Sequence, residues 1–197
     1  MVDDYVYEKA GAGVKSPDRI ILLRGSDKDG LADLKTVFAE NLTSPFGMRL
    51  VESTLYIANA DALVKYECQT GMTEVDTQYT KVVDLPAGIN HHWTKNVIAR
   101  EDGKLLVTVG SNSNVGENVM DIEKNRAAIL EIDLENQTSK VFASGLRSPN
   151  GMALEPKSGA LWTVVNERDQ LGGDLVPDYL TSVKKGGFYG WPYYYYG

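Results

Sequence analysis

The segment Ser44-Pro45-Phe46-Gly47-Met48 returns as Ser148-Pro149-Asn150-Gly151-Met152, and Val37-Phe38-Ala39 returns as Val141-Phe142-Ala143, both at a constant offset of 104 residues. A looser copy lies between them. Leu55-Tyr56-Ile57-Ala58-Asn59, Leu105-Leu106-Val107-Thr108-Val109 and Leu161-Trp162-Thr163-Val164-Val165 step forward by 50 and then 56 residues. The unit is therefore half the offset, within the period of roughly 40–50 residues that marks propeller blades. Such a fold collects the loops between blades at one end of a central channel, and function is expected there.

The rest of the chain agrees with an all-β reading. Short β-branched and aromatic runs, bounded by Gly, Pro, Asn and Asp, predict thirteen strands between Arg19 and Lys184, with no helical apolar period sustained over three turns. Asp29-Gly30 and Asp102-Gly103 are hairpin signals. At four strands per blade this gives three to four blades, residues 19–197, behind an N-terminal extension over 1–18. A propeller closes with about four to eight blades, so an incomplete ring is expected. Two stretches, Ser111 to Arg126 and Asn166 to Tyr179, are longer than a hairpin needs and both follow the second strand of their blade. The Tyr193–Tyr196 run reads as a partly buried loop.

Composition narrows the partners. A net charge of −7 with no Lys/Arg run argues against nucleic acid and anionic membranes, since phosphate binding needs a clustered basic face. No apolar run is long enough for a membrane span or signal peptide. Cys68 is the single cysteine, so there is no internal disulfide framework.

Blade topology places the loops before first strands and after second strands on one face. His91 and His92, the only histidines, stand at the entry of a first strand. Adjacent strand residues point to opposite sides, and no HxH or HxxxH spacing exists, so a paired metal site is not indicated. One of them facing the channel suits a general base, its ordinary pKa being near 6.5; the plainer alternative is a structural histidine bonded to loop carbonyls. Arg147 opens a Pro-containing turn at the same level, where a planar guanidinium can hold a carboxylate or quinone oxygen.

Four motifs in order then carry a resemblance. Ile89-Asn90-His91-His92-Trp93-Thr94-Lys95-Asn96, Val109-Gly110-Ser111-Asn112-Ser113-Asn114-Val115-Gly116-Glu117-Asn118, Gly145-Leu146-Arg147-Ser148-Pro149-Asn150-Gly151 and Gly186-Gly187-Phe188-Tyr189-Gly190-Trp191-Pro192 are similar to those of the glucose/sorbosone dehydrogenase family. The nearest branch is that of sorbosone dehydrogenase-like and pyranose dehydrogenase-like quinoproteins. The resemblance implies a six-bladed propeller that binds pyrroloquinoline quinone (PQQ) and calcium at the channel mouth and oxidises a sugar or polyol hydroxyl, passing electrons to an external acceptor. It implies His91 as the base, by its spacing to Val97-Ile98, and Asn90, Arg147 and Ser148 as cofactor contacts. Asn90 stands where Asp is usual and Ser148 where Asn is usual. Calcium would be held by the carbonyls of Glu167 and Arg168, which replace a Gly-Pro pair. The family's remaining cofactor contacts, a Lys and Arg residues of later blades, have no counterpart up to Gly197. A periplasmic or secreted location is implied for the parent protein.

Two rival readings remain: a non-catalytic propeller that has lost the cofactor and serves as a binding module, and a lactonase-like metal hydrolase. An NAD mechanism is disfavoured, because no GxGxxG lies between a strand and a helix.

Overall fold

The computed structural model describes the backbone of residues 2–3 and residues 17–25, 27–75, 78–88 and 91–195. Asn90 lies outside the described residues. The strands are β1 (Val2–Asp3), β2 (Arg19–Arg24), β3 (Leu34–Ala39), β4 (Gly47–Val51), β5 (Thr54–Ala58), β6 (Ala62–Glu67), β7 (Thr80–Asp84), β8 (Val97–Ala99), β9 (Leu105–Val109), β10 (Ala128–Asp133), β11 (Thr138–Ser144), β12 (Ser148–Leu154), β13 (Leu161–Asn166) and β14 (Tyr179–Val183). A 3₁₀ turn spans Met120–Glu123.

The strands form four antiparallel sheets in chain order: β1-β2-β3, β4-β5-β6-β7, β8-β9-β10-β11 and β12-β13-β14. Each strand pairs only with its sequence neighbours, so every sheet is a meander. The two central sheets have the four strands expected of a blade, and the two outer ones have three. The thirteen predicted strands are all present. The largest displacement is β12, which begins at Ser148 because Ser148 and Pro149 already pair with Asn166 and Val165 before a bulge ahead of Met152. Pro149 and Gly151 read locally as a turn; the pairing partner is distant in sequence, and it decides.

Three apolar clusters hold successive sheets face to face. Ile57, Val64 and Tyr66 meet Ile20 and Ala39. Ala58, Leu63 and Val82 meet Val97, Val107 and Leu130. Leu106, Ile129 and Phe142 meet Leu161, Val165 and Val183. Alternate residues of β9 thus feed two different cores, which is why Leu105–Val109 is apolar at four of five positions and buried throughout. First strands adjoin at the channel, tied by Gly47 N–H to Lys95 C=O (2.9 Å), and the loop after β9 is tied to the segment that opens β12 by Ser111 N–H to Arg147 C=O (2.7 Å). A Cβ at Gly47 would lie 2.7 Å from that Lys95 oxygen, so glycine is what lets the first strands touch. The architecture is a partial β-propeller.

The Tyr run differs from its expectation. Tyr193, Tyr194 and Tyr195 are exposed, with Phe188 tilted against Tyr193 and Arg168 over the Tyr195 ring at 5.9 Å.

Candidate active site at the channel mouth

The segments that open β8 and β12 and the loops that follow β9 and β13 meet at one end of the sheets. They enclose a cavity of about 340 Å³ lined by His92, Arg147, Ser148, Asn150, Glu167 and Asp169, among others. Arg147, Ser148 and Glu167, taken from sequence, are therefore brought together. His91 is not in this wall: it is exposed, its ring set edge-on to His92 with centroids 4.5 Å apart. Arg168 lines a neighbouring recess with Asp174 and Val176.

His92 is fixed by the loop after β9. Its Nδ1 lies 2.9 Å from both the carbonyl and the hydroxyl of Ser111. The Ser111 hydroxyl gives its own proton to Ser113 C=O at 2.6 Å, so toward His92 it accepts. Nδ1 therefore carries a proton, and in the neutral ring Nε2 is the basic nitrogen. The next residue back, Gly110, makes this approach possible: a Cβ there would fall 2.4 Å from the His92 Cβ.

Arg147 is 2% exposed, and each of its five N–H groups is directed at a protein oxygen. Nε donates to Asn114 C=O at 3.1 Å, and Nη2 to Asn114 Oδ1 at 2.9 Å and Asp169 Oδ2 at 2.8 Å. Nη1 donates to Asn166 C=O at 3.2 Å and to Glu167 C=O. That last carbonyl is one of the two that the resemblance assigns to calcium. Asn114 closes the arrangement: its Oδ1 accepts from Asp169 N–H (2.8 Å), its Nδ2 donates to Asp169 C=O (3.2 Å), and its carbonyl accepts from Trp191 Nε1 (2.9 Å).

The electrostatics are set by carboxylates. Glu167 is buried, which pushes its carboxyl up; the Arg168 N–H and the Arg147 guanidinium pull the other way. Asp178 accepts from Glu167 N–H (2.9 Å) and Asn166 Nδ2 (2.9 Å) and faces the same cavity. Burial likewise raises the Tyr179 hydroxyl beside Glu167. Among the described residues, no group of three or more His, Cys, Asp or Glu side chains is arranged to hold a metal ion.

Blade topology put Asn114 and Asp169 on this face, but sequence reasoning gave neither a part in holding Arg147, and it missed Asp178, for which the length of the loop after β13 was the signal.

The chain is similar to several known proteins. It is 25% identical over 134 residues to the aldose sugar dehydrogenase YliI of Escherichia coli (strain K12), covering 61% of this chain and 34% of that one. The structure of the Trichoderma reesei Family AA12 carbohydrate-active enzyme matches with a TM-score of 0.75 at 20% identity, over 90% of this chain and 52% of that one. The PQQ-bound form of aldose sugar dehydrogenase from Streptomyces coelicolor matches with a TM-score of 0.65 at 19% identity, over 90% of this chain and 57% of that one. The chain thus spans only part of the length of each, and the structural likenesses establish the fold. The TrAA12-like family model matches residues 19–184, and the chain belongs to that family.

Proposed function

We propose that the protein expressed from the complete reading frame of this chain is a PQQ-dependent oxidoreductase that oxidises a hydroxyl of a sugar or polyol, with His92 as its general base. The observation that carries the base is the hold of Ser111 on His92 Nδ1, which makes Nε2 the basic nitrogen of the neutral form in a ring that lines the cavity. The relatives' names supply the substrate class and the quinone.

The residues present fit a flat, oxygen-rich group of this kind: the mouth offers a cavity of about 340 Å³ with a hydroxyl at Ser148 and an amide at Asn150. Ser148 and Asn150 would contact it from this chain, and Asn90 from the position that the resemblance gives. When bound, PQQ would supply a two-electron acceptor for the hydride of the carbinol carbon. His92 Nε2 accepts the hydroxyl proton, so that the C–H pair and the O–H proton leave in one oxidation and a carbonyl forms. The imidazolium that results is stabilised by the carboxylates of Asp169 and Asp178 across the cavity and by the Nδ1–H bond to Ser111. Calcium has no part in this reading. A guanidinium already stands at the Glu167 carbonyl, and a fixed cation there opposes a divalent ion, so these residues do not fit it. An external acceptor would reoxidise the quinone, and a periplasmic or secreted location accords with aldose substrates.

The test is dye-linked oxidation by the full-length protein with PQQ and a panel of aldoses. His92→Ala is expected to lower kcat by about 10²–10⁴, while His91→Ala keeps most of it. The reverse order would restore His91 as the base. Failure of the wild type to bind PQQ in a fluorescence titration would favour the binding-module reading.

A further inference from the structure

The five oxygens around Arg147 come from three carbonyls (Asn114, Asn166, Glu167), one amide (Asn114 Oδ1) and one carboxylate (Asp169). They belong to the loop after β9, the last residue of β13 and the loop that follows it, and they surround a group that is 2% exposed. An all-oxygen cage with at least one carboxylate is what a hard divalent ion takes, and here a guanidinium fills it. We propose that Arg147 is the built-in cation of this mouth. Its charge holds the two loops together and stands where a calcium ion would otherwise be coordinated, so wild-type protein does not bind calcium at this place.

The chemistry of the cage supports a substitution of one cation for another. Arg147 gives five directed N–H bonds, one to each oxygen, and none of its donors is left over for a second partner. Removing it would leave five oxygens without their cation, the Asp169 carboxylate among them reached by solvent, beside the carboxylates of Glu167 and Asp178 that line the same cavity. Carbonyl, amide and carboxylate oxygens left together without a cation are the donor set that a hard divalent ion takes from solution. The inference concerns the cage alone; it stands or falls separately from the sugar-oxidation reading, because the readout is metal binding.

Calcium titration followed by thermal unfolding and by calorimetry, against an EDTA control, tests it on the full-length protein. Wild type is expected to show no calcium-dependent change in Tm and no binding heat. Arg147→Met is expected to have a lower Tm in EDTA and to recover by about 5 °C when calcium is supplied roughly 100-fold above its Kd. Adding Asp169→Asn should remove that recovery, since it deletes the carboxylate of the cage. Wild-type protein stabilised by calcium and reversed by EDTA, with Arg147→Met unable to respond, would overturn the proposal. So would an Arg147→Met protein that calcium rescues at no concentration, whether it folds in EDTA or not.

Discussion

β9 and β13 hold the same station, second strand, in consecutive sheets, and their sequences are almost equally apolar. Leu105-Leu106-Val107-Thr108-Val109 is buried at every position; Leu161-Trp162-Thr163-Val164-Val165 alternates, with Trp162 at 38% and Val164 at 44% exposure. The difference is not in the strands but in their surroundings. β9 has a sheet on each side, whereas β13 has one only on the side of the Leu106 and Ile129 core. A strand's alternation in burial therefore reports how many sheets cover it, even when its residues do not alternate in kind. The outward row of Trp162, Val164 and the 63%-exposed Leu180 has the composition of a covered face.

The largest effect that would break or sharpen this contrast is in the cores. Leu106→Ala is expected to cost about 2–5 kcal/mol in urea unfolding, whereas Leu180→Ala on the outward face should stay within about 0.5 kcal/mol. Equal costs would mean that the outer face is covered in solution.

The next effect lies at the rim opposite the mouth, where one buried carboxylate gathers three cations of its own sheet and one from beyond β14. Glu131 on β10, 1% exposed, pairs with Arg100 (3.1 Å), Lys104 (3.6 Å), Lys140 (3.0 Å) and, from beyond β14, Lys185 (3.1 Å). Burial pushes its carboxyl up, but the hydrogen bonds and charges of Lys140 and Lys185 outweigh that and hold it at about 2. Its folded pKa is thus below the unfolded one. The stabilisation is complete above the ordinary glutamate range and is lost as the pH falls from there toward 2. Glu131→Gln should cost about 3 kcal/mol at neutral pH, and much less near pH 2. Lys185→Met, with one exposed partner removed, should cost under about 1 kcal/mol. A pH-independent cost for Glu131→Gln would show that charge is not what holds this cluster.

The smallest effect has the opposite sign. Lys95 is fully buried at the top of the core between the second and third sheets, bonded through Nζ to Trp93 C=O at 3.3 Å. Burial, with repulsion from Arg126, lowers its amine to about 7, against an opposing pull from Asp61. Between pH 7 and the ordinary lysine range the unfolded chain holds a proton that the folded one does not, so stability rises with pH across that window. Lys95→Met should raise stability by about 1–2 kcal/mol at pH 6 and by little at pH 10, read from paired denaturation curves. No gain at pH 6 would mean that the amine has a partner worth keeping.

Much of the fold could be read from the chain because its signals are local. β4 and β6 begin and end where predicted, since glycine or turn residues flank runs whose pairing partners lie a hairpin away. The mouth was less accessible. Arg147 and Glu167 fell on the right face by topology, but the partners that give Arg147 its role lie 19 to 33 residues off. His91 and His92 are neighbours in a turn, and their spacing to Val97 is too loose a ruler to separate them. What separates them is Gly110, just past β9, whose missing side chain leaves room for the His92 Cβ.

The meander order of the sheets also bears on how the chain acquires its shape. Because each strand pairs with the one before it, most ladders close a short loop, and even those after β9 and β13 join consecutive strands. Folding can then begin in any single meander and spread by stacking the next upon it, as in a one-dimensional array. The central sheets, with a neighbour to template on either side, would lead. The mouth would come last, because its loops need two finished meanders before Arg147 has anything to hold.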